Sequence, residues 1–371
     1  DWYLILTIGA SSLRMHRLNA LQRGEDSMRA AVIQDFCEDL SIEDVADPAC
    51  PDTGVVLKVE ACGVCRSDFH GWVGEHPLVK NGSILGHEYC GTVVETGSGA
   101  RHKVGDRLIA PFILACGSCP ACATGVSNTC ANQIVPGFSA PGAYAEYVAV
   151  PFDHNLVHLP DTITPALAAG LGCRVTTAWH ALTDRAAVKA GEWVAVPGTG
   201  GIGLASLLLA KMLGAQVVVV DIVDDKLEHA LGLGADAAVN AAQMDAAEAI
   251  RELTGGGADV SIEALGIEAT TNASIECLAI LGRHVHVGMP AGSGRMEINM
   301  RAIYSKQLSF FGTRGMPSWK YPSLLGMIER GQVDISPMVA REVKLSEASA
   351  ELRAMTGPTP PGTAVITDFT T

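Results

Sequence analysis

The sequence predicts an α/β protein in which a mostly β unit is followed by a doubly wound parallel sheet. Three observations carry that reading. From Met28 to about Thr176, strand-like runs such as GVVLKVEACGV, EYCGTVVET and GAYAEYVAV are punctuated by Gly and Pro, with little helical periodicity. From about Ala178 onward, short apolar strands alternate with amphipathic helices, the rhythm of a parallel sheet covered on both faces. At the first of those strand-to-helix junctions stands GTGGIG.

Taken in order, MRAAVIQDF is the expected first strand, which sets residues 1–27 apart as an N-terminal extension outside the fold. DWYLILTIGA within it is apolar but short, with no basic region before it and no small-residue cleavage pattern after it, so it makes a poor signal peptide. Residues 28–176 form the expected β unit. Residues 177–314 run through WVAVP, IGLASLLLAKML, AQVVVVD, DDKLEHALGLG, ADVSIEAL, EATTNASIECLAIL and RHVHVGM as strand, helix, strand and so on. Residues 315–371 hold a helix at YPSLLGMIERG and a strand at GTAVITDF, and are expected to return to the first unit.

Composition narrows the function classes. With 371 residues, 48% of them hydrophobic and 18% charged, the chain can bury a large core in two domains. A formal net charge of -14 and no basic stretch exclude nucleic acid as an expected partner. Apolar runs such as AQVVVVDIV are broken well before spanning length, so no membrane partner is expected either. The 11 cysteines are an odd number, and most are wanted as metal ligands, which predicts reduced thiols and a cytoplasmic setting.

The tightest cluster of chemistry is CGSCPACATGVSNTC, with Cys116, Cys119, Cys122 and Cys130. Four thiolates at that spacing close a tetrahedral zinc shell with no open position, which lends folding energy rather than catalysis. A disulfide pair or four unrelated buried thiols is the competing reading, and a zinc ribbon for nucleic acid follows from the tetrad alone, though not from the charge.

WVAVP runs directly into Gly198, Gly200, Gly201 and Gly203, with the next helix opening at Ile202. Here Gly198 would permit the sharp turn, Gly200 the backbone approach to a pyrophosphate, and Gly203 the packing of helix on strand. The following strand ends at Asp221, whose carboxylate suits ribose hydroxyls and repels a 2'-phosphate, favouring NAD over NADP. An ordinary strand-end acid is the alternative. Lys226 lies one turn on and is either a ribose contact or a solvated lysine.

Three further segments carry metal-ligand types: GVCRSDFH with Cys65, GHE with His87 and Glu88, and GLGCRVTTAWH with Cys173. Two thiolates and an imidazole leave a fourth zinc position open, as in catalytic sites. In order along the chain, these segments, the cysteine lobe and GTGGIG resemble the zinc-dependent medium-chain alcohol dehydrogenases, from Met28 to the C-terminus. The resemblance implies a GroES-like catalytic domain, a Rossmann NAD-binding domain, and two zinc ions per subunit, one catalytic and one structural.

By the same resemblance Cys65, His87 and Cys173 are catalytic zinc ligands, and Glu88 is a carboxylate able to exchange onto the metal. Asp68 orients His87 and also suits a cap for the turn after Cys65. Ser67 receives the alcohol proton and His70 hands it to solvent. Arg66 resembles a pyrophosphate contact and Phe112 a wall of the substrate pocket, whereas Trp72 reads more safely as core. Relatives offer an arginine near the closing strand; PPGTAVITDF supplies none. The implied activity is reversible hydride transfer between an alcohol and NAD, giving an aldehyde or ketone. A polyol, sugar or amino-alcohol dehydrogenase on the same scaffold is the rival, and a non-catalytic protein that binds NAD and zinc is the alternative of another class. Members of this kind imply a homotetramer, or else a homodimer, with residues 283–300 as an expected edge strand for pairing two sheets.

Overall fold

The computed structural model describes residues 27–290, 294–357 and 361–370, so all but the last residue of the expected extension lies outside the described residues. β1 (Ser27–Val32) begins on that last residue and pairs antiparallel with β2 (Ser41–Ala46).

A seven-stranded sheet follows from β3 (Val55–Gly63), β4 (Glu88–Thr96), β5 (Arg107–Ile109), β6 (Tyr147–Val150) and β7 (Val157–His158). Of the expected strand GAYAEYVAV only the last four residues are strand; Ala145 makes an isolated bridge to Ala30. A short helix that the strand pattern did not suggest, Arg66–Trp72, leaves the end of β3.

The second sheet consists of β8 (Trp193–Pro197), β9 (Gln216–Asp221), β10 (Ala237–Asn240), β11 (Ala258–Glu263), β12 (Leu278–His286) and β13 (Ser309–Gly312). They are ordered β10-β9-β8-β11-β12-β13, and every neighbour pair is parallel. This is the doubly wound order with a switch point between β8 and β11, where ligands bind at the carboxyl ends of the strands. Val194–Val196 and Val217–Val220 are buried throughout, as a sheet covered on both faces requires. The last strands, β14 (Val339–Lys344) and β15 (Thr363–Asp368), leave this sheet and join the first, where β15 pairs with β3.

Two expectations are corrected. The helix at EATTNASIECLAIL stops at Glu276, because Leu278 pairs with Ala258 and Leu281 takes a left-handed φ of 62° that no helix tolerates. The edge strand expected within 283–300 is internal instead: β12 is covered by β13, which is the outermost strand and exposes Phe310.

One helix joins the two sheets. Thr164 caps Pro165–His180 by accepting from Leu167 N, and Pro165 sits where its missing N–H costs nothing. Leu171, Val175 and Ala178 are fully buried in a cluster that also contains Ala61 and Ile109 of the first sheet and Val194 and Val196 of the second. Burying Leu171 alone contributes roughly 1.5–3 kcal/mol. The helix kinks at Gly172 (φ 12°, ψ -135°), immediately before Cys173.

Candidate active site and metal centres

Four side chains from three segments meet where β3, β4 and the kinked helix converge. One donor atom each from Cys65, His87, Glu88 and Cys173 lies within 4.8 Å of the others. Cys65 ends the turn after β3, His87 immediately precedes β4, Glu88 opens it, and Cys173 follows the kink. A Cβ at Gly172 would stand 2.5 Å from Glu88 Cγ, so only glycine lets the helix approach. The kink also turns Cys173 N outward from the helix ladder to donate to Glu88 Oε1 at 2.8 Å.

Asp68 is fully buried and does two jobs at once. Its Oδ2 accepts from Cys65 N at 2.9 Å, and its Oδ1 accepts from Gly86 N at 3.1 Å and from His87 Nδ1 at 3.0 Å. Both readings of Asp68 thus hold geometrically. With Nδ1 committed, His87 presents Nε2, which is buried and has no partner. Burial alone would depress this imidazole, but the charge and hydrogen bond of Asp68 raise it well above its ordinary range. The hydrogen bond with Cys173 holds the Cys65 thiol well below the usual range, while Cys173 is raised by the same contact.

An orphaned imidazole nitrogen beside two thiols fits zinc by softness and by coordination number. The lobe fits it too. Cys116, Cys119, Cys122 and Cys130 come within 4.8 Å, with Sγ separations of 3.4 Å for Cys119–Cys122 and 3.7 Å for Cys119–Cys130. Those gaps exclude disulfides, and all eleven cysteines are unpaired. Hydrogen bonds from Ser118 pull Cys116 down to about 5, whereas burial pushes Cys122 up to about 12. Four thiolates this close need a cation to be ionised together.

At the second sheet, Gly198 holds a left-handed φ of 88°, and a Cβ on Gly203 would stand 1.8 Å from Gly198 O. At Gly200 a Cβ would meet nothing within 4 Å, an open cradle at the start of the helix Gly201–Met212. Ile202 lies half-buried in the first turn of that helix. Asp221 Oδ2 accepts from Thr199 Oγ1 at 2.7 Å and Thr199 N at 3.0 Å, and Oδ1 accepts from Ile222 N at 2.8 Å. Burial pulls this carboxyl up, but the Thr199 and Ile222 hydrogen bonds and the charge of Lys226 hold it below its usual range. It therefore stays anionic, as the ribose reading needs. These features fit a dinucleotide.

The softer sites are placed as follows. Ser67 Oγ lies 3.8 Å from Cys65 Sγ. His70 Nδ1 is 2.5 Å from Glu75 Oε2, a pairing the sequence reading did not include. Arg66 is exposed, donates to Met355 O and lies 4.6 Å over the Phe69 ring. Trp72 is core, with Nε1 donating to Glu38 O at 2.6 Å. Phe112 packs its ring 5.9 Å from that of His87, and Phe138, which sequence reasoning missed, packs at 5.2 Å on the same imidazole.

Arg174 was also missed. It is almost wholly buried, 3.3 Å from Glu88 Oε2, with Nη2 donating to Val64 O at 2.6 Å and Nη1 donating to Thr363 Oγ1. Its Cδ would touch a Cβ on Gly201 at 2.3 Å. One guanidinium stem therefore runs from the metal-ligand cluster to the glycine loop. An arginine directly after a cysteine ligand was the available signal.

A buried two-thiol, one-imidazole centre beside a dinucleotide cradle defines a zinc-binding dehydrogenase. Comparison with known proteins agrees: residues 51–161 match the alcohol dehydrogenase GroES-like domain and residues 201–330 the zinc-binding dehydrogenase domain. An alcohol dehydrogenase of Geobacillus stearothermophilus is 41% identical over 232 residues, covering 62% of this chain and 68% of the relative. A sorbitol dehydrogenase of Halalkalibacterium halodurans is 30% identical over 83% of this chain and 90% of its own. The solved structure of alcohol dehydrogenase TADH from Thermus sp. ATN1 superposes with a TM-score of 0.86 at 29% identity, covering 92% of this chain and 99% of that one. The chain belongs to the zinc-dependent medium-chain alcohol dehydrogenase family. It is an oxidoreductase that uses zinc and NAD.

Proposed function

We propose that this enzyme interconverts primary or secondary alcohols of aliphatic or aromatic character with their aldehydes or ketones, through the site around Cys65, His87 and Cys173. The observation that carries the reading is the partnerless, buried Nε2 of His87, set between two thiols and two phenyl rings. Cys65, His87 and Cys173 hold a catalytic zinc, and Cys116, Cys119, Cys122 and Cys130 a structural one. A zinc ion held there supplies Lewis acidity that lowers the pKa of an oxygen ligand.

The remaining work falls to the chain. Asp68 fixes the His87 tautomer and ties the Cys65 turn to it. Ser67, beside Cys65, takes the alcohol proton; His70 passes it to solvent, with Glu75 orienting the ring. Glu88 is pushed up to about 8 by burial against the pull of Arg174, which leaves it able to change charge as the site loads. Gly198, Gly200, Gly201, Ile202 and Gly203 seat the pyrophosphate, with Arg66 as a further contact, and Asp221 and Lys226 meet the ribose. Phe112 and Phe138 make the pocket wall apolar.

A polyol substrate is the second reading, favoured by the sorbitol dehydrogenase relative. Within the chain, residues 28–176 and 315–371 act as the catalytic domain and residues 177–314 as the NAD-binding domain, joined by the helix Pro165–His180 that crosses the first boundary. Among the described residues no helix is long and apolar enough to cross a membrane. Eleven unpaired thiols support a cytoplasmic, reducing setting. The uncovered edge of β13, with Phe310 exposed, is a surface on which two copies can pair, and the family resemblance extends this to a homotetramer, with a homodimer as the alternative. Turnover of hexanol and benzyl alcohol against sorbitol, at equal concentrations with NAD, tests the substrate class: kcat/KM higher for sorbitol overturns it.

A further inference from the structure

A third group of metal-ligand side chains lies outside both cysteine centres. His102 sits in the turn between β4 and β5, Asp106 immediately precedes β5, and His158 ends β7. One donor atom from each lies within 4.8 Å of the other two. The strand pairing of Leu108 with His158 brings the third side chain to the other two.

The frame beneath these side chains is built rather than loose. Asp153, almost wholly buried, accepts from Arg101 N at 2.5 Å and His102 N at 3.2 Å through the same Oδ2, which sets the His102 backbone. Lys103 N donates to Asp106 Oδ2 at 3.0 Å and fixes that carboxylate. The His102 and Asp106 side chains are only 12% and 11% exposed, whereas His158 faces solvent. The site is thus closed from below and open on one side.

His102 and Asp106 face each other four residues apart at ion-pair distance, and His158 adds the third donor that an ordinary pair lacks. His102 Nδ1 stands 3.7 Å from Asp106 Oδ2, too far for a hydrogen bond. It is close to the ~3.4 Å that separates two donors sharing one tetrahedral ion at metal–ligand distances of about 2.0–2.2 Å. The two imidazole rings meet in a T-shaped arrangement with centroids 5.2 Å apart. The Lys103 N–H and the charge of Lys103 hold the Asp106 carboxyl below its usual range. Lys103 is a cation whose repulsion an incoming ion must overcome, and its long side chain can swing away.

We propose that His102, Asp106 and His158 form a third, solvent-accessible site for a divalent transition cation, with two imidazoles and one carboxylate as ligands and water completing the shell. This donor set suits zinc, nickel or cobalt rather than calcium or magnesium. The ion clamps the β4–β5 turn to β7. The clamp reaches the cysteine lobe through the neighbouring turn, because Asn155, two residues after Asp153, holds Ala115 by both its N and its O. The site therefore supports the fold and stands apart from catalysis.

The test begins with enzyme whose cysteine centres are already zinc-filled and whose loosely held metal has been dialysed away. Calorimetric titration with further Zn2+ is expected to show one more saturable site in the wild type. His158→Ala and His102→Gln each weaken that site by roughly tenfold or more. His229→Ala, on an exposed helix, leaves it unchanged. Added Zn2+ also raises the melting temperature of the wild type but not of either ligand variant, while turnover of all four proteins with alcohol and NAD stays equal. A wild type that takes up no further zinc overturns the proposal, as does a third site that survives in both ligand variants. Circular dichroism confirms that each variant is folded, so that loss of binding reports loss of ligands.

Discussion

The two cysteine-bearing centres draw on different ligand sets, four thiols in one and two thiols with an imidazole in the other, and are assembled in opposite ways. The lobe draws four thiols from fifteen consecutive residues, Cys116–Cys130, with only one four-residue helix and one 3-10 turn between them. Its apolar support is the small cluster of Ala115, Cys119 and Cys130. The other centre draws Cys65, His87 and Cys173 from three distant segments, each anchored in a large core. The contrast teaches where the organising energy comes from. A contiguous loop with almost no core of its own needs the ion to order it. Ligands set by a packed sheet and a buried helix are ordered beforehand, so the ion is free to do chemistry.

That contrast can be broken in several places, beginning with the largest effect. Cys173→Ala removes a ligand from the preorganised centre, so turnover should be abolished while the melting temperature moves by only a few degrees, read by NADH formation and a thermal melt. Cys122→Ala should do the reverse, lowering the melting temperature on the order of 10 °C, since structural zinc carries folding energy. Activity of the still-folded fraction should persist. If the two variants exchange phenotypes, the assignment of the two centres is inverted.

Smaller effects sharpen the picture. Arg174→Ala leaves Val64 O without its donor and Glu88 without its ion-pair partner, and should destabilise the protein by about 1–3 kcal/mol in urea unfolding. It should also weaken NADH binding measured by fluorescence, because the same side chain packs on Gly201. Asp68→Asn should lower zinc affinity roughly 10- to 100-fold at the Cys65 centre alone, measured by competition with a chelator. Asp221→Gly should have the mildest consequence, relaxing the NAD over NADP ratio of kcat/KM by roughly tenfold while leaving both metal centres intact.

The same contrast explains what the sequence could and could not reveal. The lobe and the glycine loop were legible because their chemistry sits at fixed short spacings, where local geometry alone decides what can bind. The three-segment centre became legible only through its order along the chain, since nothing at Cys65 signals the distant Cys173. Contacts that depend on the fold stayed hidden. Phe138 reaches His87, Glu75 pairs with His70, and Arg174 spans Glu88 and Gly201, and no periodicity encodes any of them. Periodicity also misled at Leu278–Leu281, where an apolar stretch fits helix or strand equally and the pairing with β11 decides. The edge of the second sheet was misplaced for the same reason: which strand lies outermost is a property of topology, and SFFG at β13 is too short to announce it.

The most direct test of the account follows zinc release, NADH formation from an alcohol, and the melting temperature together while a chelator strips the enzyme. Turnover should vanish as the first equivalent of zinc leaves the open Cys65–His87–Cys173 centre, with the melting temperature nearly unchanged until the second leaves the lobe. Turnover that outlasts the first equivalent, with stability collapsing at that point, would contradict it.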